Sequence, residues 1–470
     1  MIFQSLDFLL FLLLVFCVHW LLPWRVRNLF LVIASYFFYG YVHPWFLLLL
    51  WFVTIAVYLA GLGMEALPAY RRWFFALGLA ACLGMLGIFK YFNFFIDNIV
   101  IASRAMGFEL SQPTLRIALP VGISFFAFQG LSYVIDVYRG DIRARRNLVD
   151  IALFKAFFPQ LVAGPIERAT HFLPQIERRR ELRPEAVLEG VFLIIWGFFK
   201  KLVIADNVSV IANKVFLLAH PGFPLLWAGV LAFCVQIFAD FSGYTDIARG
   251  AAKLFGFDLI ENFRSPYLAS SPVDFWRRWH ISLSTWLRDY VYIPLGGSRG
   301  GRLLGARNVM ITFLLSGLWH GASWNYVLWG AYWGVLIVIY NNASNLAPEW
   351  VARSRGLLPL KIFLMFALTN IGWLLFRETD LRQLADYLTL APSAASGLEW
   401  KAGAYLACVV LLYSTPLIVQ MYLGRPHETG VYSGRRFNSL AVRSLTAAGL
   451  FGGILLMRAA SSADFIYFQF

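Results

Sequence analysis

Long apolar runs recur along the whole chain, each separated from the next by a short polar stretch in which arginine predominates. Leu6 to Trp24 is nearly all apolar; a bilayer core needs roughly 20 such residues, so this run predicts a first membrane helix. Asn28 to Tyr41, Trp45 to Gly63 and Trp73 to Tyr91 predict three further crossings. Basic residues gather on the cytoplasmic side of membrane proteins, so Arg25, Arg27 and the Arg71–Arg72 pair set the N-terminus outside. Phe92 to Met106 is interrupted by Asn93, Asp97, Asn98 and Arg104, which predicts an interfacial helix rather than a span. Pro120 to Tyr138 then returns the chain to the basic run RGDIRARR.

From Arg139 to Arg183, ten basic and five acidic residues surround one apolar patch, Ile151 to Ile166. Lys155 and Pro159 break that patch, so it predicts a re-entrant or buried segment lining a cavity; the alternative is a cytoplasmic amphipathic helix. Val187 to Ala205 crosses next, although Lys200 and Lys201 near its end disturb the charge pattern. Leu225 to Phe241 leads into Asp240, Ser242, Tyr244 and Asp246, and carboxylates at that depth face a bundle interior or a wet cavity. Val309 to Trp324, or on to Tyr340, predicts a helix holding His320 at mid-depth. Leu360 to Phe376, Ala402 to Tyr422 and Leu445 to Met457 complete the set, with the basic loop Arg425 to Arg443 on the cytoplasmic side.

Composition agrees with the pattern. Apolar residues make up 60% of the 470-residue chain and charged residues 14%, against about 25% charged in ordinary globular domains. The net charge of +14 would suggest a nucleic-acid partner in a soluble protein. Here the basic residues sit in short loops between apolar runs, so membrane topology accounts for them, and no nucleic acid is expected. Cys17, Cys82, Cys234 and Cys408 are far apart and each lies in an apolar run, with neither metal-ligand spacing nor a disulfide framework. The N-terminus lacks a basic leader and a small-residue cleavage site, which predicts a retained first helix.

Two histidines stand out, His280 and His320, 40 residues apart. His320 lies in an otherwise uncharged run, where a titratable ring is costly unless something uses or pairs it. It is either a general base for an acyl acceptor or a structural residue bonded to a neighbouring helix carbonyl. His280 follows Arg277 and Arg278 and lies among Trp276, Trp279 and Trp286, with Arg288 beyond. From Arg264 to Arg307 there are seven arginines, two aspartates and seven aromatic residues. That stripe fits an interfacial anchor as well as a pocket for donor phosphates, which arginine grips bidentately. Neither a short-spaced zinc ligand set nor a Gly-x-Ser-x-Gly elbow occurs. Asp240, Tyr244 and Asp246 fit either buried ion pairs or an acceptor path. Glu167 and Arg168 are read as fixing the broken segment. His19, His43, His171, His220 and His427 have no comparable context.

The segments RRWHISLSTWLRDYVYIPLGG and GLWHGASW resemble the two signatures of the membrane-bound O-acyltransferases, in the bacterial branch that acetylates exopolysaccharides such as alginate. FFPQLVAGPIER (Phe157–Arg168), DFSGYTDIARG (Asp240–Gly250), ENFRSPY (Glu261–Tyr267) and the closing FIYFQF (Phe465–Phe470) carry the resemblance along nearly the whole chain. It implies an all-α polytopic membrane protein, a bundle of about ten to twelve transmembrane or embedded helices around a central tunnel. The chain would form a single acyltransferase domain over 1–470, with N-terminal helices 1–138, a catalytic core 139–345 and C-terminal helices 346–470. The family places its catalytic histidine in the second signature, hence at His320. Its first signature often has asparagine where this chain has His280, which would assist.

The resemblance further implies an enzyme of the bacterial inner membrane, embedded among membrane lipids and working without a metal or bound cofactor. The acyl donor would be acetyl-CoA, with Arg277, Arg278, Trp279 and Arg288 as candidates to bind it. Related systems use a Phe-x-Tyr-Phe tail whose tyrosine accepts an acyl group, which makes Tyr467 an acyl-acceptor candidate; the plain alternative for FIYFQF is an aromatic interface belt. A periplasmic acetyltransferase partner would finish transfer to the polysaccharide. Two rivals stand beside this: D-alanyl or other acyl transfer to a different glycan, such as teichoic acid or cellulose, and a proton-coupled transporter or export component.

Overall fold

The computed structural model describes residues 1, 3–41, 43–110, 119–344, 354, 356–423, 440–460, 465 and 466. The fold is all-α, and no strand occurs among the described residues. Five helices there are long and apolar enough to cross a membrane: Phe46–Ala66, Pro68–Ala105, Phe223–Leu254, Leu358–Arg377 and Gly397–Tyr422. Shorter apolar helices lie at Leu6–Leu21 and Ser444–Met457. The chain is a multi-pass membrane protein. Its residues group into two compact units, Met1–Val191 with Ala248–Ile260, and Phe192–Ile247 with Glu261–Phe470.

In the first unit, Ser5 caps the opening helix by accepting a bond from the Phe8 N–H at 3.1 Å. That helix stops at Leu21 because Leu22, which precedes Pro23, is pushed into extended backbone at φ −76°, ψ 147°. The next helix, Trp24–Gly40, therefore starts earlier than the sequence pattern suggests and includes Arg25 and Arg27. Arg27 folds back over the Trp20 ring, 4.7 Å from its centroid. Phe92–Ala105 is also not a separate interfacial helix. It continues the preceding helix through a π-helical turn at Gly87–Tyr91, so that Pro68–Ala105 runs on for 38 residues. Gly78 lets this helix close on its neighbours, since a Cβ there would stand 2.9 Å from Val134 and 3.1 Å from Ala60.

The broken patch behaves as its proline demands. Leu148–Ala156 and Phe158–Leu161 are two short helices separated at Phe157, and residues 150–161 are buried throughout. An amphipathic surface helix would leave one face in solvent, so that alternative falls. Lys155 is wholly buried and donates to the Phe126 carbonyl, while the Phe158 N–H donates to Ser35 Oγ at 3.1 Å. Glu167 accepts from the Ile260 N–H at 2.5 Å and pairs with His171 Nδ1 at 2.7 Å.

In the second unit, a π-helical turn at Lys200–Ala205 precedes the helix Asp206–Phe216, and the 32-residue helix Phe223–Leu254 belongs to this unit as far as Ile247. Lys200 pairs with Asp246 at 2.6 Å and donates to Ser242 Oγ at 3.0 Å. Lys201 pairs with Asp206 at 2.8 Å and Asp240 at 3.1 Å. The two lysines that disturb the charge pattern are thus neutralised inside the protein, and the partners of these aspartates are lysines rather than the arginines weighed from sequence. A buried charge without such a partner costs several kcal/mol.

Candidate active site

His320 does not sit in the middle of a membrane helix. It is the last residue of Arg302–His320, and a new helix begins at Trp324. Gly321 is extended at φ −164°, ψ 154°, and a Cβ there would run into the Tyr326 ring. The two helices form a hairpin that crosses at glycines. A Cβ on Gly317 would collide with the Tyr326 carbonyl, and one on Gly330 with the Phe313 carbonyl. Small residues let backbones approach closely in membrane helices, and here that closeness presents the imidazole at a turn rather than along a helix side.

Three aromatic rings hold that imidazole edgewise: Trp319 and Trp329 at 5.0 Å each, and Phe376 at 5.2 Å. Phe376 is delivered by Asn325, whose buried amide donates to the Phe376 carbonyl at 3.1 Å. The helix Leu358–Arg377 is thereby tied to the hairpin turn. His320 itself is buried.

His280 reaches the same place from another part of the chain. It adopts φ 42°, ψ 56° ahead of the helix Ile281–Leu287. This left-handed backbone is uncommon outside glycine and marks a residue its surroundings hold in place. The restraint is Asn262, whose carbonyl accepts from the Ile281 N–H at 3.0 Å and whose Oδ1 accepts from the Ser282 N–H at 3.2 Å. The buried His280 ring meets Phe241 at 4.7 Å and Trp319 at 5.7 Å. One tryptophan therefore touches both histidines.

The tail of the chain approaches this wall. Phe465 packs on Tyr244 at 4.5 Å and on Phe241 at 6.1 Å. The Ile466 N–H donates to Asp240 Oδ2 at 2.8 Å, in a buried bond. The Lys201–Asp240 pair is thus part of what holds the last described residues.

The model of the membrane-bound O-acyltransferase family matches residues 142–368, which include both histidines, Asn262 and Asn325. A probable alginate O-acetylase of Pseudomonas putida is 38% identical over the full length of both chains. Another, of Pseudomonas aeruginosa, is 44% identical over 81% of this chain and 73% of its own length. The chain belongs to the membrane-bound O-acyltransferase family. A peptidoglycan O-acetyltransferase of Helicobacter pylori is a further relative, 32% identical over 94% of this chain and 91% of its own. As a member of this family the protein is an O-acyltransferase.

Of the acyltransferase residues expected from sequence, His280 and His320 come together. Among the donor-binding candidates, Trp279 is buried between Phe275 at 5.7 Å and Trp373 at 4.8 Å. Arg278 pairs with Asp274 at 2.8 Å, Arg288 with Asp289 at 2.6 Å, and Arg277 is exposed. Tyr467 lies outside the described residues, as does most of the basic loop from Arg425. Sequence reasoning passed over Trp319, Phe241, Asn262, Asn325 and Phe376. Trp319 precedes His320 directly inside GLWHGASW and Asn325 is the next residue after that motif, so their position along the chain is the signal for those two. Phe376 lies in none of the quoted segments, and Phe241, though inside DFSGYTDIARG, is brought to His280 only by folding.

Proposed function

We propose that this O-acyltransferase takes an acetyl group from acetyl-CoA on the cytoplasmic side of the bacterial inner membrane for O-acetylation of an exopolysaccharide such as alginate. The observation that carries this is the shared wall at Trp319, which puts two buried imidazoles beside one small region. In the proposed step an acceptor hydroxyl attacks the thioester carbonyl and His320 takes its proton. The new C–O bond forms, the C–S bond breaks, and the proton passes on to the leaving thiolate. His280 assists by orienting the acyl donor or the acceptor. Both substrates need a passage to His320, the donor from the cytoplasm and the acceptor from the opposite face, with the N-terminus external.

Tyr467 serves as a covalent way station in this proposal, its phenol oxygen accepting the acetyl group as the hydroxyl nucleophile. The burial of Phe465 and Ile466 against Phe241 and Asp240 supports it, because the preceding two residues share a wall with His280. A periplasmic partner would then receive the acetyl group for the polymer. The names of the Pseudomonas and Helicobacter relatives, an alginate O-acetylase and a peptidoglycan O-acetyltransferase, support a glycan as the final acceptor.

The test is the full-length protein, purified in detergent and given radiolabelled acetyl-CoA or a D-alanyl thioester. The expected result is release of label from acetyl-CoA, with acetyl recovered on the C-terminal peptide of wild type and not of Tyr467→Phe. Turnover of the D-alanyl donor in preference to acetyl-CoA would overturn the donor. Transfer from acetyl-CoA at wild-type rate in His320→Ala would overturn the base.

A further inference from the structure

The first unit contains a cavity of about 160 Å³ that plays no part in the acyl-transfer proposal. Its wall includes Arg178, Arg179, Arg180, Arg183 and Lys253, against only two carboxylates, Glu181 and Asp258. Lys253 is already paired with Asp258 at 2.7 Å and with Glu189 at 3.3 Å. Among the described residues, no carboxylate lies within ion-pair distance of any of the four arginines.

Arg180 is buried and anchored. Its guanidinium donates to the carbonyls of Gln175 and Ile176 and to Asn28 Oδ1 at 2.6 Å, and lies over the Phe257 ring, 4.2 Å from its centroid. Its Nε is buried with no bonding partner. Burial, together with the charges of Arg27 and Arg178, pushes its pKa down to about 10. Cations crowded in this way repel one another unless an anion joins them. Gly256, at φ 79°, sets the floor; a Cβ there would stand 3.2 Å from the Arg180 side chain. The first turn of Pro184–Phe199 contributes Ala186 and Val187 to the wall, which adds the positive end of a helix dipole.

We infer that this cavity is a phosphate-binding site. Several guanidinium forks around one small space suit a tetrahedral anion with three or four acceptor oxygens better than a carboxylate with two. The phosphate is that of an anionic phospholipid headgroup or of a soluble phosphate-bearing metabolite. Leu182, which lines the cavity and is 49% exposed, provides the apolar surface a lipid chain would follow.

The site is tested without reference to acyl transfer. The full-length protein is placed in nanodiscs of phosphatidylcholine with or without phosphatidylglycerol, and bound lipid is counted by native mass spectrometry. In a second arm, ADP is titrated calorimetrically in detergent. Arg178 and Arg179 are exposed, so Arg178→Ala with Arg179→Ala leaves the buried Arg180 and its bonds in place. Phosphatidylglycerol retention about tenfold weaker in the double variant supports a lipid ligand, and ADP binding weakened by about as much supports a soluble one. The inference is overturned if the double variant matches wild type in both arms. It is equally overturned if wild type shows no preference for phosphatidylglycerol over phosphatidylcholine and no saturable ADP binding.

Discussion

Two clusters of positive charge, each made of neighbours in the linear sequence, are handled in opposite ways. Lys200 and Lys201 are buried and each meets carboxylates, Asp246 for the first and Asp206 with Asp240 for the second. Arg178, Arg179, Arg180 and Arg183 line an open cavity with few anions to answer them. The lysine cluster is an internal scaffold that fastens the chain's tail through Asp240. The arginine cluster is an incomplete shell whose missing charge is supplied from outside. The difference lies in what faces each cation, and burial alone does not reveal it.

Removing a partner from the lysine cluster should have the largest effect. Asp246→Ala strands the buried Lys200 charge and should cost about 3–5 kcal/mol, read as a lower unfolding temperature in detergent. Replacing both members, Lys200→Met with Asp246→Leu, should recover most of that loss. A double variant no more stable than Asp246→Ala would show that the pair does more than cancel charge. Arg180→Ala comes next. It removes the Arg180 donor from the Gln175 carbonyl and from Asn28 Oδ1. The Ile176 carbonyl keeps its bond from Asn28 Nδ2 at 3.0 Å, and the change should cost about 1–3 kcal/mol in the same measurement.

The exposed pair should behave differently. Arg178→Ala with Arg179→Ala should change stability by no more than about 0.5 kcal/mol, whatever it does to anion binding. A large loss would mean these arginines are scaffold after all, and the contrast between the clusters would collapse.

A smaller and pH-dependent effect belongs to His171. Its bond to Glu167 raises the imidazole pKa above 6.5, against the opposing pull of burial. A histidine whose folded-state pKa is raised adds stability that is fully present below the unfolded value and fades as pH rises through the folded one. His171→Ala should therefore lower the unfolding temperature more at pH 5.5 than at pH 8.5, if unfolding is followed across that range. An equal loss at both would assign the effect to packing.

Much of the fold was legible because bilayer physics writes itself into composition. The apolar runs and the break at Pro159 follow from local pattern. What failed to show was whatever depends on distant partners or on backbone detail. Lys200 and Lys201 looked like topology signals because their carboxylates lie up to 46 residues away along the chain, at Asp246. Pattern alone predicts a helix running through His320 to Trp324, because GLWHGASW holds no Asp, Glu, Lys or Arg. Yet a Cβ on Gly317 or Gly330 would collide with the facing helix's backbone, so these glycines let the two helices close on each other across the turn. The left-handed backbone at His280 had no local signal, since Asn262 imposes it from 18 residues upstream.

The central claim is that the two imidazoles touching Trp319 serve one reaction. A double-mutant cycle on acetyl transfer by the purified protein tests it, using His320→Ala, His280→Ala and both together. His320→Ala should lose roughly 10²–10⁴-fold in rate, the share a positioned base supplies. His280→Ala should lose less, and the double variant should be little worse than His320→Ala alone, as for residues that act as a unit. Losses that multiply, or a His320→Ala enzyme as fast as wild type, would contradict it.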